Sequence, residues 1–378
     1  MPPPLPLLGT RRAPTDQSGA SAPDDSGALS GALAQAGARA QAGALVPPGT
    51  VAQAGAVAPP GVLAQAGALD DAHDDALDDA ELRTARAALA QGRWQAARSL
   101  LLHTGDDWDR RGHRVTVLAA QPYAAAWARE WQLAEPGSAD AATLFALTLV
   151  HRALGGKEEA GRAREACTAA AAFAPADPTP LLGRLLLART MGPESELLRT
   201  FAELRARHPE HHHAHHLLVA RLAERPQGGR AESHEVYDLA ERAAAEAPAD
   251  SPLAVLPVVA YAERYRVLAA TGLAPADPAA SGHWSGPRAR RILRACFDWW
   301  LEWEHDDHPR RHVDLNHLAF AMSCAGRPAE AAALFQRIGR HATRAPWSYA
   351  HRDGWQSFRT ARHRALGRTS EEASPSGP

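Results

Sequence analysis

The chain has 378 residues, of which 45% are hydrophobic, so it is long enough to bury one or two sizeable cores. Its 41 basic and 43 acidic residues give a net charge of -2, which excludes recognition of nucleic acid or an anionic membrane by overall charge. Lys157 is the only lysine, and this strong bias toward arginine reflects composition rather than a selected anion site.

The cysteines and the apolar segments indicate in which cellular compartment the protein is expected. Cys167, Cys296 and Cys324 are odd in number and widely spaced, which argues against a disulfide framework or a zinc knuckle. No apolar segment follows Arg11 and Arg12, so no secretory signal is indicated, and no run reaches the roughly 18 apolar residues of a membrane span. We therefore expect a cytoplasmic protein with reduced thiols, no membrane insertion and no nucleic-acid partner.

Residues 1–78 differ from the rest of the chain, because they are rich in Ala, Gly, Pro and Gln and contain no aromatic residue. Burial in such a segment cannot offset chain entropy, so we predict a disordered leader. Six hexads of the LAQAGA type run from Leu33, as in a left-handed β-helix or an expanded flexible repeat, and the Pro pairs favour the second. The acid pairs between Asp70 and Asp79 share one helical face and either bind a hard cation or, as we favour, cap the next helix.

From residue 79 to residue 345 the sequence predicts short helices. Apolar residues recur at helical spacing, and Gly or Pro breaks separate segments of mostly 11–20 residues. Short breaks predict antiparallel helix pairs. The long break at 274–286 is either a loop or a subdomain boundary, and residues 346–378 are expected to form an irregular tail that is disordered from about residue 366.

Two groups of residues share one spacing and are offset by 34 positions: Ala163, Cys167, Ala170 and Pro175, then Leu197, Phe201, Leu204 and Pro209. Small residues at this spacing allow two helices to touch, and Pro ends the second helix. Weaker matches lie in Ala85–Leu101, Leu315–Ile338 and 240–252. These segments resemble the tetratricopeptide-repeat family. Cys167 and Leu197 are atypical of that family at their positions, and residues 104–140 and 253–307 do not follow the pattern.

The resemblance implies an all-α superhelix of antiparallel helix pairs. It also implies a non-catalytic interaction or scaffold protein whose concave surface binds a peptide, a protein or a small ligand. Three phrases, GDDWDRRGHR, APADSPLAVLP and ATRAPWSY, are similar to those of uncharacterised actinobacterial proteins with degenerate helical repeats. That similarity adds no activity.

One break concentrates acids, bases and an aromatic residue. Its candidate binding residues are Asp107, Trp108, Asp109, Arg110, Arg111 and His113. One hypothesis is a recognition site in which Arg110 or Arg111 grips a carboxylate or phosphate. The alternative is a helix start with Asp107 as N-cap and the charges paired with one another.

Histidines form two clusters. Residues 208–216 read HPEHHHAHH, and on a helix His211 pairs with His215 and His212 with His216 at i, i+4, a spacing that suits Zn²⁺ or Ni²⁺. No third ligand stands at a diagnostic spacing, so packed or solvated histidines are favoured. The second cluster, interrupted by a proline, contains His305, Asp306, Asp307, His308 and His312. We expect no metal and no cofactor, and the alternative function is a metal-binding protein or metal-dependent enzyme.

Three tryptophans lie on one predicted helix. Trp299 and Trp303 share a face, whereas Trp300 is turned by about 100°. They act either as interface anchors or, as we favour, as core residues in an Ala-rich chain. Neither a P-loop nor a G-x-S-x-G nucleophile elbow is present in the sequence.

Overall fold

The computed structural model describes residues 74–225, 234–303 and 307–367. Within these ranges the chain forms α-helices and short 3₁₀ turns with no strand, which confirms the predicted all-α class. The hexads and most of the predicted leader lie outside the described residues. The helices are α1 Ala80–Ala90, α2 Gln95–Thr104, α3 Trp108–Ala119, α4 Ala124–Ala134, α5 Ala139–Leu154, α6 Ala160–Phe173, α7 Thr179–Met191, α8 Glu194–Arg207, α9 His212–Ala223, α10 Glu235–Glu246, α11 Leu256–Ala270, α12 Pro287–Glu302, α13 Arg311–Cys324, α14 Pro328–Ile338 and α15 Gly354–Ala365.

The first fourteen helices pack as consecutive hairpins, in which each odd-numbered helix contacts the even-numbered helix that follows it. The odd-numbered helices also contact one another in sequence, from α1 through α3, α5, α7, α9 and α11 to α13. They form an inner layer, and the even-numbered helices cover it from outside. Because neighbours in a hairpin are antiparallel, the inner helices begin at a common end.

Burial follows this division into layers. In α11 ten consecutive residues, Leu256–Tyr265, are buried, as expected for a helix surrounded by others. The outer helix α6 buries only Ala163, Cys167 and Ala170, which lie on one stripe. The inner helices therefore carry most of the core, and the outer helices supply an amphipathic cover.

Helices α6 and α8 show the 34-residue offset directly. Both have 14 residues, and they begin at Ala160 and Glu194. Ala163 and Leu197 are the fourth residues of these helices, and both are fully buried. The two residues therefore hold equivalent positions in successive hairpins.

Two predicted irregular regions are ordered. The expected irregular tail from residue 346 instead contains α15, because Phe358 on this helix is buried in the same core as Trp347. The break at 274–286 forms two 3₁₀ turns, and its Trp284 is buried with residues of α11 and α13. The core is therefore continuous across that break.

The turn between α1 and α2 depends on a glycine. Gly92 has a φ of +81°, and a Cβ atom at this position would lie 2.8 Å from the Trp127 ring. Glycine removes both the steric cost of the left-handed backbone and this clash.

Among the helices that the structure describes, none has the length and apolarity that crossing a membrane requires.

Candidate metal centre

The inner helices begin among carboxylates. Asp79 is the N-cap of α1 and accepts from the Leu82 N–H at 2.8 Å. Asp109, Asp140 and Asp314 lie in the first turns of α3, α5 and α13. A carboxylate is stabilised there by the positive end of the helix dipole. Four of the seven inner helices therefore carry a carboxylate at this end, and Arg114 and Arg111 pair with two of these, Asp79 and Asp140.

The charged side chains of residues 106–113 pair with other residues of this chain. Asp107 caps α3 and bonds Arg110, as the helix-cap alternative predicts. The Arg110 Nη2 atom also contacts Asp307, and Arg111 binds Asp140 and Asp177. Since both arginines pair with carboxylates of this chain, the hypothesis that they grip an external anion lacks structural support.

The other residues of this break differ in burial. Trp108 is half-buried, and His113 is 5% exposed. Burial, together with the nearby Arg310 charge, lowers the pKa of His113 to about 3. His113 is therefore a neutral interior group and contributes no surface for recognition.

Asp109 gathers histidines from two distant segments. Its carboxylate lies 3.0 Å from His208 Nε2, 3.3 Å from His211 Nδ1 and 3.7 Å from His308 Nε2. It also accepts from the His212 N–H at 2.9 Å and so caps α9 from another helix. Burial opposes ionisation, but the hydrogen bonds from His208 and His308 hold the pKa of Asp109 well below its ordinary value.

Asp314 lies between two histidines of α9. His212 Nε2 is 2.7 Å from Oδ2, and His216 Nε2 is 3.2 Å from Oδ1. Each of the three residues offers one ligand atom, and these three atoms lie within 4.8 Å of one another. All three residues are buried. Two imidazoles one helical turn apart with one carboxylate are a common ligand set for divalent transition metals. We call His212, His216 and Asp314 the triad.

The two histidine pairs predicted from the sequence therefore differ. His212 and His216 face Asp314, whereas the His215 Nδ1–H donates to the main-chain oxygen of His211 at 3.0 Å. The His215 ring packs edge-on against Phe201, with the ring centroids 5.1 Å apart. Within the described residues, His212 and His216 are the i, i+4 pair that forms a ligand set with a carboxylate.

One more buried histidine, His317, lies beside the triad. The His317 Nδ1–H donates to the Val313 carbonyl at 2.8 Å, and the ring centroid lies 6.0 Å from that of His216. His317 Nε2 is buried, with no hydrogen-bond partner in the described chain. This orientation, with one ring nitrogen held by a carbonyl, is the one that metal-binding histidines adopt. His317 is therefore a possible further donor close to the triad.

The charges of the triad suit a cation. Although burial alone would raise it, the side chains of His212 and His216 hold the pKa of Asp314 well below its ordinary value. Burial lowers the pKa of His212 well below 6.5, so this ring is neutral at pH 7. The triad therefore presents an ionised carboxylate and a neutral imidazole, the protonation states in which these groups bind metal.

A cleft reaches the triad from one side. It encloses about 30 Å³ and includes Asp314, but neither His212 nor His216, in its wall. The predicted tryptophans Trp299, Trp300 and Trp303 also line it. Trp300 is 8% exposed and packs in the core, whereas Trp303 is 36% exposed.

The second histidine cluster is divided by the structure. His308 approaches Asp109, and His312 Nε2 lies 3.4 Å from Asp78. Asp307 contacts Arg110, while His305 and Asp306 lie outside the described residues. The two described histidines of this cluster therefore contact two different carboxylates, Asp109 and Asp78.

The sequence singled out all the histidines of the triad but missed Asp314. Its distance of 98 positions from His216 hides the ligand set, although three histidines stand within six residues of it. No family model matches the sequence, and neither the curated proteins nor the solved structures contain a match to it.

Proposed function

We propose that this protein binds a divalent transition metal at His212, His216 and Asp314. The observation that carries the proposal is the triad itself, with its ligand atoms within 4.8 Å of one another in a buried centre. Three protein ligands leave coordination positions open, as in catalytic zinc and non-haem iron sites rather than closed structural sites. A cation there would supply Lewis acidity to a molecule in the adjoining cleft.

The positions of the ligands also support the proposal. His212 and His216 are held on the rigid helix α9, whose first N–H is capped by Asp109. Asp314 comes from the first turn of α13, so it is fixed by a second rigid element. Ligands on helices keep the geometry that a metal needs better than ligands on loops.

The test is a zinc titration of the untagged full chain followed by equilibrium dialysis. We expect about one equivalent of Zn²⁺ for the wild type, as the single triad implies. Asp314→Asn keeps the shape of the side chain but removes its charge, and we expect it to abolish stoichiometric binding. His215→Ala is the matched control, because this buried histidine lies on the same helix outside the triad. Equal binding by wild type and Asp314→Asn would refute the proposal.

We propose further that the hairpins are arranged as a tetratricopeptide-like superhelix. The equal lengths and 34-residue offset of α6 and α8 support this arrangement, as does the packing of each odd-numbered helix on the next. The same observation favours a second function, an interaction scaffold for an unidentified protein or peptide. Chemical crosslinking in cell extract tests it, with Met191→Asp at the exposed end of the inner helix α7; unchanged crosslinks would count against it.

A further inference from the structure

A second cleft lies at the opposite end of α13 from the triad. Its walls come from α13, α15 and the 3₁₀ turn Pro278–Ala280, and its volume is about 160 Å³. A cavity of that size admits a molecule as large as benzene. Asp314 stands in the first turn of α13 and Ser323 in the last, so roughly 14 Å of helix separates the two sites. This cleft is therefore independent of the proposed metal centre.

Two arginines of this cleft have no partner in the described chain. Arg352 and Arg364 line the cleft, and neither guanidinium forms a hydrogen bond or an ion pair with a described residue. The composition of the segment explains this, because residues 338–367 contain six arginines and one acid, Asp353, which caps α15. Both guanidinium groups are therefore available to an external anion.

Hydroxyl groups of α15 face the same space. Ser357 lines the cleft and is 7% exposed, and its hydroxyl has no hydrogen bond within the described chain. A buried hydroxyl without a partner is costly, so it indicates a ligand that supplies the missing bond. Thr360 and Arg364 follow at i+3 and i+7 on the same helical face and also line the cleft. The cleft therefore offers two guanidinium groups and two hydroxyls to one anion.

One carboxylate, Asp277, also lines the cleft. Its Oδ1 accepts from the Ala279 N–H at 3.1 Å, and its Oδ2 has no hydrogen bond within the described chain. Its charge does not cancel that of the arginines: burial raises the pKa of the Cys324 thiol in this wall, and Arg352 opposes the rise more strongly than Asp277 adds to it. A carboxylate oxygen in an otherwise basic cleft favours an anion that keeps a proton to donate.

We infer that this cleft binds a phosphate group. Arg352 and Arg364 pair with its charge, and the hydroxyls of Ser357 and Thr360 donate to its oxygens. A phosphate O–H donates to Asp277. Phosphate has enough acceptor oxygens for these donors, and it titrates near neutral pH, so it keeps a proton where sulfate has none.

Calorimetric titration of the untagged full chain at pH 7, in a buffer without phosphate, tests the inference with inorganic phosphate and sulfate as probes. We expect phosphate to bind the wild type more tightly than sulfate. Arg364→Gln should weaken phosphate binding about tenfold, because it removes one charge-assisted contact. Arg359→Gln is the matched control, since it makes the same change at an exposed position of α15 outside the cleft, and it should bind phosphate as the wild type does.

A second variant tests the assigned proton. Asp277→Asn removes the carboxylate, and we expect it to bring the affinity for sulfate up to that for phosphate. Methyl phosphate distinguishes the two sources of the group: tighter binding than inorganic phosphate assigns an ester, and weaker binding assigns the free ion. No binding of phosphate, equal affinities for phosphate and sulfate in the wild type, or equal weakening by Arg364→Gln and Arg359→Gln would overturn the inference. The metal-free chain serves for every titration, so a failure of zinc to bind leaves this result unaffected.

Discussion

Arg111 is expected to be a structural arginine, and its removal should cost much of the stability of the chain. Its side chain is 8% exposed, and its Nε–H donates to Asp177 Oδ2 at 2.9 Å. The Asp177 side chain is 2% exposed, so Arg111→Leu leaves a buried carboxylate with no cation. Breaking such a pair from one side costs about 3–5 kcal/mol of the free energy of unfolding. Native domains have about 5–15 kcal/mol in total, so the loss should be large.

Urea denaturation followed by far-UV circular dichroism measures the effect, because a lower midpoint at unchanged slope reports stability alone. The Asp177→Asn change keeps an oxygen that accepts from the Thr179 N–H, so the double variant should recover about 1–2 kcal/mol of the loss. Arg98→Leu is the control, since the Arg98 and Glu135 side chains are 46% and 35% exposed and the pair contributes less than about 1 kcal/mol. If Arg111→Leu costs no more than Arg98→Leu, the assigned role is wrong.

Two further predictions concern the dependence of stability on pH and the turn between α1 and α2. The free energy of unfolding should fall as the pH drops from 6.5 toward 3, because His113 protonates near 6.5 when unfolded but only near pH 3 when folded. This one group accounts for about 2 kcal/mol of the free energy of unfolding at pH 5. Urea melts at pH 7 and pH 5 should therefore show a loss of stability that is smaller by this amount in His113→Gln than in the wild type. An identical loss in both proteins would contradict the prediction. Gly92→Ala should lower stability by roughly 1–3 kcal/mol in the same assay, since Trp127 must move; a neutral effect would show that the turn adapts.

The helical class was predictable from the sequence because apolar periodicity and Gly or Pro breaks act locally. The offset between Ala163 and Leu197 also predicted equivalent places in two hairpins, since burial on one stripe leaves a regular spacing. The helix over 354–365 was missed because Phe358 and Trp355 sit among many arginines and few apolar residues. Its stability depends on packing against α14, which no local pattern reveals.

The candidate centre was predictable in its parts but not as a whole. His212 and His216 follow from helical spacing, whereas Asp314 joins them only through the packing of α9 near α13. Asp109 was chosen for a ligand-binding role, and the structure shows it capping α9 instead. Pairings between segments separated by about 100 positions depend on the tertiary fold, and one sequence alone carries no record of them.

The contacts between the two ends of the inner layer also affect how the chain folds. Arg311 meets Asp78 across 233 positions, and Arg110 meets Asp307 across 197. An open solenoid can gain or lose a terminal unit, since each unit depends only on its neighbours. Here an inserted or deleted hairpin would separate these residues, and both contacts would be lost. Formation of these distant contacts should also be slow, because a long loop must close first.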